Sequence, residues 1–161
     1  MKKIAFIMLI AYFAACKSHP AGGETFPAFD ILLADSVTRV NTGLITKGNP
    51  IVLIYFSPDC EHCQKETESI LQHIQSLKGV RFYFITSDPF ERLRAFKGYY
   101  KLNQYPNIII GRDEQFFIIR HFKGAYPPYL VFYDQEKYQR AVYQGDTPVD
   151  TIISFVNHLK L

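Results

Sequence analysis

The sequence predicts an α/β fold in which a central sheet is covered by helices on both faces. Apolar strands alternate with segments of helical periodicity, and two further strands and a final helix complete the order. The run at residues 51–56 is apolar at every position, which is typical of a strand that is covered on both faces. The 161 residues are 48% hydrophobic and 20% charged, an ordinary globular composition with enough chain for one domain.

The predicted strands are apolar runs that are bounded by turn residues. They lie at residues 29–33, 37–40, 51–56, 80–85, 107–110, 129–133 and 137–143. The first two are expected to form a hairpin around Asp35 and Ser36. The last alternates poorly between apolar and polar residues, which favours an edge position in the sheet.

The predicted helices follow from apolar side chains that are spaced three or four residues apart. They lie at residues 63–77, 89–100, 114–121 and 147–159. Gly79 is expected to end the first of them. Pro89 and Pro148 each follow residues that cap helices well, so each proline is expected at the first helical position.

The first fifteen residues have the pattern of an export signal. A basic start at Lys2 and Lys3 precedes an apolar, uncharged run at residues 4–15, which is too short to span a membrane as a mature helix. Small residues then lead directly into Cys16, which resembles the lipobox of bacterial lipoproteins, although Phe13 stands where leucine is more usual. In that family the cysteine becomes the lipidated N-terminus. An ordinary signal peptide with an incidental cysteine is the alternative.

This pattern divides the chain into three parts. Residues 1–15 are predicted to be the lipoprotein signal peptide, residues 16–24 a flexible tether and residues 25–161 one domain. Export places the domain in an oxidising compartment. The lipoprotein resemblance implies a protein of the cell envelope that is held to a membrane by lipid and faces the periplasm or the outer surface.

The charge of the chain gives no case for nucleic-acid binding. Removal of residues 1–15 takes away two lysines and no acid, which lowers the formal net charge from +3 to +1. The sequence has no basic run that is interleaved with aromatic residues.

Two cysteines stand where the 51–56 strand gives way to the first helix. Cys60 and Cys63 are separated by two residues, which places both sulfurs on one face of the first turn and within disulfide reach. The positive end of the helix and its free N–H groups favour a thiolate there. An inert disulfide or half of a zinc site is the alternative, but zinc requires about four ligands and only these two cysteines remain after lipidation of Cys16.

The neighbouring residues are expected to act on the Cys60 thiolate in opposite directions. His62 stabilises it if the imidazole is protonated or donates to sulfur, whereas Asp59 and Glu61 disfavour it. Asp59 is alternatively the cap of the helix. A histidine in this place resembles the CPHC motif of the strongly oxidising DsbA proteins, but the two acids argue against so oxidising a potential here.

The strand–CxxC–helix unit, the strand entered through two prolines, the strand after it and the C-terminal helix together resemble the thioredoxin fold. That fold has a central mixed sheet with helices on both faces. The segment at residues 29–32 and the extra helix–strand–helix between residues 88 and 122 are similar to the membrane-anchored thioredoxin-like (TlpA/ResA-type) oxidoreductases. The resemblance covers residues 25–161.

The resemblance implies thiol–disulfide exchange with exported proteins. Cys60 attacks a substrate disulfide and Cys63 resolves the mixed disulfide, with His62 as the third catalytic residue. The expected partners are protein thiols and disulfides and a redox partner, with no cofactor and no metal. We expect a monomer.

Pro128 resembles the cis-proline that faces the CxxC motif in this fold. The strand begins at Tyr129, and the proline of the family directly precedes that strand, so Pro128 is favoured over Pro127. A rigid trans Pro-Pro turn is the alternative. The resemblance implies that Pro128 and Tyr129 bind substrate, and Tyr126 is expected to line the same groove.

One position departs from the thioredoxin pattern. Thioredoxins place an acidic residue six positions before the first cysteine, where it relays protons to the buried thiol, and Ile54 stands there in this chain. Glu61 and water are the replacements that the sequence offers, and it does not choose between them.

Two rival functions remain open at this stage. A copper-binding lipoprotein of the same fold would use the two cysteines and a distant histidine, for which His121 is the candidate, but such proteins normally space the cysteines by three residues. A peroxiredoxin-like peroxidase would fit Pro58 before Cys60, but the threonine usual in such sites is missing. Arg120 is the only loosely placed arginine for that chemistry.

Overall fold

A computed structural model describes residues 23–159 of the chain. The predicted signal peptide, Cys16 and most of the predicted tether lie outside the described residues. The strands are β1 (Asp30–Leu33), β2 (Arg39–Asn41), β3 (Ile51–Tyr55), β4 (Arg81–Thr86), β5 (Ile108–Arg112), β6 (Tyr129–Tyr133) and β7 (Gln139–Gln144). The helices are α1 (Glu61–Gln72), α2 (Phe90–Tyr99), α3 (Phe117–His121) and α4 (Val149–His158).

The strands form one mixed sheet in the order β2-β1-β5-β4-β3-β6-β7. Strands β3, β4 and β5 run parallel, and the remaining pairings are antiparallel. Every residue of β3 is buried and has a partner on both β4 and β6, so this strand lies at the centre of the sheet. The predicted fold class, an α/β fold with a mixed sheet, is confirmed.

The two faces of the sheet are covered unequally. One core contains Val52 and Ile54 of β3 and packs against α1, α2 and α4. The other contains the alternate β3 residues and packs against the short helix α3 and the segment that contains Phe26 and Phe29. Helices therefore lie on both faces, as predicted, but three of the four share the face that also carries the dithiol.

Helix α1 is shorter than predicted. It ends at Gln72, and successive hydrogen bonds between residues three apart then turn the chain as far as Val80. Ile74 and Leu77 keep the apolar spacing that suggested a helix, and both are buried. The prediction that the helix runs to residue 77 and is ended by Gly79 is wrong, because burial continues beyond the helical hydrogen bonding.

Helices α2, α3 and α4 begin later along the chain than predicted. Pro89 and Pro148 occupy the N-cap rather than the first helical position, and neither helix has a side-chain cap. Helix α3 begins at Phe117 rather than at residue 114, because Phe116 takes a left-handed conformation with φ of 52°. The Asp113 carboxylate accepts from the Ile118 N–H at 2.8 Å and fixes this start.

The chain joins the sheet at Glu24, the last residue of the predicted tether. The Glu24 carbonyl accepts from the Gln139 N–H at 2.9 Å, and Phe26 N–H donates to the Lys137 carbonyl at 2.8 Å. Thr25 thereby forms an antiparallel bridge with Tyr138 beside β7. Within residues 23–159 no helix has the length and apolar character needed to cross a membrane.

Gly111 provides a test of the packing between β1 and β5. An added Cβ would collide with Cγ2 of Ile31 and would lie 2.9 Å from the Leu32 carbonyl oxygen. We expect Gly111→Ala to lower the free energy of unfolding by about 1–3 kcal/mol, since the strands must separate to admit a methyl group. Urea denaturation measures this change.

Gly98→Ala is the matched control for that substitution. Gly98 lies in α2 with no heavy atom within 4 Å of an added Cβ. It should be neutral or stabilise by up to about 1 kcal/mol through helix propensity. Equal stability of Gly111→Ala and the unmodified protein would contradict the close approach of β1 to β5.

Candidate active site

The dithiol lies at the carboxyl end of β3. That strand ends at Tyr55, and five residues later Cys60 is the N-cap of α1. The Cys60 N–H donates to the Ser57 carbonyl at 3.1 Å, and the Gln64 amide donates to the Pro58 carbonyl at 2.8 Å. These two bonds close the loop and fix Cys60 against the first turn of the helix.

The two thiols differ in exposure. Both cysteines are free, with Cys60 half-buried and Cys63 only 2% exposed. The Cys60 sulfur accepts from the Cys63 N–H at 3.3 Å and is itself the side-chain cap of α1. The alternative that Asp59 caps this helix is therefore wrong. The predicted geometry of an outer thiol at the helix N-terminus and an inner thiol one turn later is present.

Burial raises the pKa of the Cys63 thiol well above its usual value, and contact with the Cys60 sulfur and the nearby Glu66 carboxylate raises it further. Cys63 is therefore held as a thiol, and it becomes a nucleophile only when a nearby group takes its proton. Cys60 is free of this burial and receives the N–H of the helix turn. The structure thus gives Cys60 the outer position expected of the nucleophile and Cys63 the inner one.

A buried carboxylic acid that sequence reasoning missed lies one turn beyond Cys63. Glu66 is 6% exposed, and neither of its carboxylate oxygens has a hydrogen-bond partner among the described residues. The spacing of Cys63, Glu66 and Ile70 on the buried stripe of α1 was the available signal, because a glutamate in an apolar stripe is exceptional. Ile54, which stands where thioredoxins have an acid, is buried in the same core as Cys63.

Burial, together with the charge of Asp146, raises the pKa of Glu66 to about 8. A carboxyl group with a pKa near neutrality exchanges its proton readily under physiological conditions. The Glu66 carboxylate contributes to the raised pKa of Cys63, which makes Glu66 a candidate acceptor for the proton of that thiol. Glu66 thereby joins Glu61 and water, the replacements considered from the sequence, as a candidate proton acceptor.

The His62 side chain bonds to a carboxylate and not to a cysteine sulfur. Its Nδ1 lies 2.8 Å from Oδ1 of Asp146, which belongs to the loop between β7 and α4. No hydrogen bond joins His62 to Cys60 among residues 23–159. The Asp146 carboxylate therefore offsets the positive charge of a protonated His62, which sequence reasoning could not foresee across 84 residues.

The other two acids of the motif region also have cationic partners. Asp59 lies 2.8 Å from Nη1 of Arg92 on α2, and Glu61 lies 3.3 Å from Nζ of Lys65 on α1. Both pairs are exposed, so each is worth at most about 1 kcal/mol. Their effect is to reduce the influence of either carboxylate on the Cys60 thiolate.

The two prolines directly precede β6, the antiparallel neighbour of β3. The bond between Pro127 and Pro128 is cis, as the sequence predicted for Pro128. Tyr129 is half-buried and pairs with Tyr55, which sets Pro128 beside the loop that leads to Cys60. The Pro128 carbonyl accepts from the Gly145 N–H at 2.9 Å, and Pro127 has no N–H to donate.

The structure also places the residues of the two rival functions. His121 is stacked on Phe117 and lies 3.4 Å from the Glu24 carboxylate. In the described part of the chain no group of three or more histidine, cysteine, aspartate or glutamate side chains is arranged to hold a metal ion. Arg120 is exposed on α3. Neither residue is joined to the dithiol by a hydrogen bond or an ion pair within residues 23–159.

Comparison with solved structures identifies the fold as thioredoxin-like. A secreted disulfide oxidoreductase of Mycobacterium tuberculosis, homologous to E. coli DsbE, superposes with a TM-score of 0.68 at 20% identity, covering 81% of this chain and 96% of that chain. The thioredoxin domain of a thiol–disulfide oxidoreductase of Bacteroides vulgatus gives a TM-score of 0.67 at 21% identity, covering 86% and 100%.

A reduced 2-Cys peroxiredoxin of Plasmodium vivax is also similar. It has a TM-score of 0.68 at 13% identity and covers 88% of this chain and 83% of that one. No protein-family model matches the chain, and no curated protein matches it. The similar solved structures show that the chain has a thioredoxin-like fold, and it carries two cysteines separated by two residues. Similarity at these identities defines the fold, and the chemistry must be argued from the site.

The raised pKa of Glu66 predicts how stability depends on pH. The folded protein holds this proton up to about pH 8, whereas the unfolded chain releases it near 4.5. Between these values the unfolded state binds fewer protons, so the contribution of Glu66 to stability falls as the pH rises, by up to about 1.4 kcal/mol per unit.

Glu66→Gln should remove this slope. Urea unfolding of the reduced protein between pH 5 and about pH 8 measures it. The variant should gain stability relative to the unmodified protein at the upper end of the range, while other groups contribute equally to both. Parallel pH profiles of the two proteins would contradict the burial of an unpartnered Glu66.

Proposed function

We propose that this protein is a thiol–disulfide oxidoreductase that exchanges disulfides with exported proteins through Cys60 and Cys63. The observation that carries the proposal is the pairing of an accessible sulfur at a helix N-terminus with a buried thiol beside a buried proton acceptor, Glu66. An inert structural disulfide does not require an acid nearby. The burial of an unpaired carboxyl group costs stability, so Glu66 would be a disadvantage in a purely structural site.

In the first step the Cys60 thiolate attacks one sulfur of a substrate disulfide. The new bond joins Cys60 to that sulfur, and the other substrate sulfur leaves as a thiolate. The Cys63 N–H and the positive end of α1 stabilise the attacking thiolate. Attack from this side places the substrate against Pro128 and Tyr129, which we propose as substrate-binding residues.

In the second step Cys63 resolves the mixed disulfide. The ionised form of Glu66, which is the minor form at neutral pH because its pKa is about 8, takes the proton of Cys63, whose thiolate attacks the Cys60 sulfur and expels the second substrate thiolate. The substrate gains two electrons and the protein retains a Cys60–Cys63 disulfide, while Glu66 releases its proton to solvent. The reverse order of the same steps oxidises a substrate dithiol.

His62 is proposed as the third catalytic residue, acting on the Cys60 thiolate through its charge. Its partner Asp146 offsets that charge. His62 therefore stabilises the Cys60 thiolate less than an unpaired imidazolium would. A less stabilised thiolate makes the reduced form less favourable and the protein less oxidising. We therefore propose a potential below that of the DsbA proteins.

The cellular setting belongs to the same proposal. Cleavage before Cys16 and lipidation of that residue would hold a monomeric domain at a membrane of the cell envelope, facing the periplasm or the outer surface. Turnover requires a redox partner that returns the Cys60–Cys63 pair to its starting state. Mass spectrometry of the mature N-terminus tests the anchor, and an unlipidated Cys16 would contradict it.

Replacement of Cys63 by alanine tests the assignment of the two thiols. Cys63→Ala should trap a mixed disulfide through Cys60, because no second thiol is present to resolve it. Non-reducing electrophoresis with a model protein disulfide measures the adduct. Cys60→Ala is the matched control and should trap far less, since Cys63 is buried and protonated.

Two results would argue against the assignment. Equal trapping by the two variants would remove the distinction between an outer and an inner thiol. Failure of the unmodified protein either to reduce or to oxidise a model disulfide would refute the enzyme.

Glu66→Gln tests the proton transfer by separating the two steps. Formation of the mixed disulfide should proceed at its normal rate, because Cys60 does not use Glu66. Resolution by Cys63 should slow by about 10²-fold near neutral pH, the range for loss of a general base. Rapid-quench kinetics on a disulfide with a chromophoric leaving thiol measure both steps, and an unchanged second step would exclude Glu66 as the acceptor.

A further inference from the structure

A groove of about 460 Å³ opens beside the nucleophile, between α1 and α2. Its wall nearest the dithiol consists of Pro58 and Asp59, the two residues before Cys60. The rest of the groove includes Glu68 of α1 and, from the region of α2, the residues Arg92, Phe96, Tyr99 and Tyr100. No step of the proposed chemistry uses these five residues.

The charge around the groove is unbalanced. Arg92 is the cation of the lining, and it is shared between Asp59 at 2.8 Å and Asp88 at 3.6 Å. Glu68 forms no ion pair within the described part of the chain. Its Oε1 accepts only from the Tyr100 hydroxyl, at 3.2 Å. The groove therefore presents a carboxylate that is held in place and has no cationic partner there.

An aromatic cluster adjoins this carboxylate through the Tyr100 hydroxyl. Tyr100 packs against Phe96 at 4.7 Å and against Tyr99 at 4.9 Å between ring centroids. Tyr99 is 77% exposed, which is unusual for a large ring that takes part in such a cluster. Burial and the adjacent Glu68 raise the pKa of Tyr100 to about 12, so its hydroxyl remains a donor to that carboxylate.

The Pro128 side of the active site, although it contacts the substrate in the proposed function, offers few backbone hydrogen bonds. Pairing of a substrate backbone beside Pro128 would need donors and acceptors from the residue before it. That residue is Pro127, which has no N–H, and the Pro128 carbonyl is already bonded to Gly145. Recognition of a protein segment at Cys60 therefore needs contacts on the other side of the dithiol, where the groove lies.

We propose that this groove binds a lysine or arginine side chain of the protein whose disulfide reacts at Cys60. The aliphatic stem lies along Tyr99 and Tyr100, and the cationic end reaches the Glu68 carboxylate. A ring face and a carboxylate together favour a cation over a neutral or an acidic side chain. The inference rests on the proposed function, since it assigns the groove to the substrate of that site.

The lengths of the elements fix where the basic residue must stand. Glu68 lies seven residues along α1 from Glu61, the first residue of the helix, which is a rise of about 10 Å along the helix axis. Three residues of extended chain span about the same distance. The preferred substrate accordingly carries lysine or arginine about three positions from its reactive cysteine.

Equilibrium binding of short peptides tests the groove independently of turnover. The probes are two peptides of about ten residues with serine in place of the reactive cysteine, identical except for lysine or leucine three positions away. Each is prepared with that residue before or after the serine. The full chain, oxidised at Cys60–Cys63, is titrated calorimetrically, and the lysine peptide should bind about three- to fivefold more tightly than the leucine peptide in low salt.

Glu68→Gln and Tyr99→Ala should each abolish this preference. Glu136→Gln is the matched control, because Glu136 is an exposed acid that pairs with Lys47 after the far end of β6. It should leave the preference unchanged. Rates with the small neutral disulfide hydroxyethyl disulfide should be the same for all four proteins, since that substrate does not reach the groove.

The outcomes separate the two proposals. Equal binding of the lysine and leucine peptides, or a preference that survives both Glu68→Gln and Tyr99→Ala, overturns the groove even if disulfides are exchanged normally. Loss of the preference in both variants supports it. Absence of turnover with every disulfide refutes the proposed enzyme while the binding measurement still decides the groove.

Discussion

The double pairing of strand β3 is the constraint on which the rest of the structure depends. All five of its residues pair with β4 on one edge and β6 on the other, and all are buried. Buried backbone groups must be satisfied, so this strand cannot slide or tilt without the loss of several hydrogen bonds. Its carboxyl end is thus a fixed point from which a loop of five residues leads to α1.

Strand β3 positions both the dithiol and the pair of prolines. Cys60 begins the helix that follows β3, and Pro128 precedes the strand that pairs with it, with Tyr129 opposite Tyr55. Elements far apart in sequence are therefore brought to the same end of β3. Substitutions within β3 would disturb the positions of Cys60 and Pro128 together.

The acids around the dithiol are neutralised in different ways. Asp59 and Glu61 each pair with a basic side chain at the surface and Asp146 pairs with His62, whereas Glu66 is buried and its pKa is raised to about 8. The raised pKa of Glu66 suits this group to proton transfer near neutral pH. The Cys60 sulfur meanwhile accepts from the Cys63 N–H, an interaction that favours the thiolate and hence the reduced protein.

Much of the fold and the centre of the site followed from the sequence. The apolar run of β3, the spacing of Cys60 and Cys63 and the paired prolines are local patterns, and each predicted its element correctly. Helix ends were less predictable, because Ile74 and Leu77 are buried through turns that keep a helical spacing of apolar side chains. Apolar periodicity reports which side chains are buried, whereas hydrogen bonding defines the helix.

The unpredicted parts of the site depend on distant residues. Asp146 reaches His62 only because β7 returns to the edge of the sheet where α1 begins, and no local pattern records that return. Glu66 was visible as an acid among apolar neighbours, yet its meaning depends on the absence of an acid at Ile54. The functional value of either residue appears only when both elements are placed together.

The attachment of the chain at Glu24 has a consequence for solubility. Strand β7 is the last strand of the sheet, and such an edge offers unpaired N–H and C=O groups to other molecules. The segment from Glu24 to Phe26 occupies such groups at Lys137 and Gln139, so the residues that lead into the domain shield the beginning of this edge. A protein shortened past Phe26 would expose that part of the edge and would be prone to sheet-to-sheet aggregation.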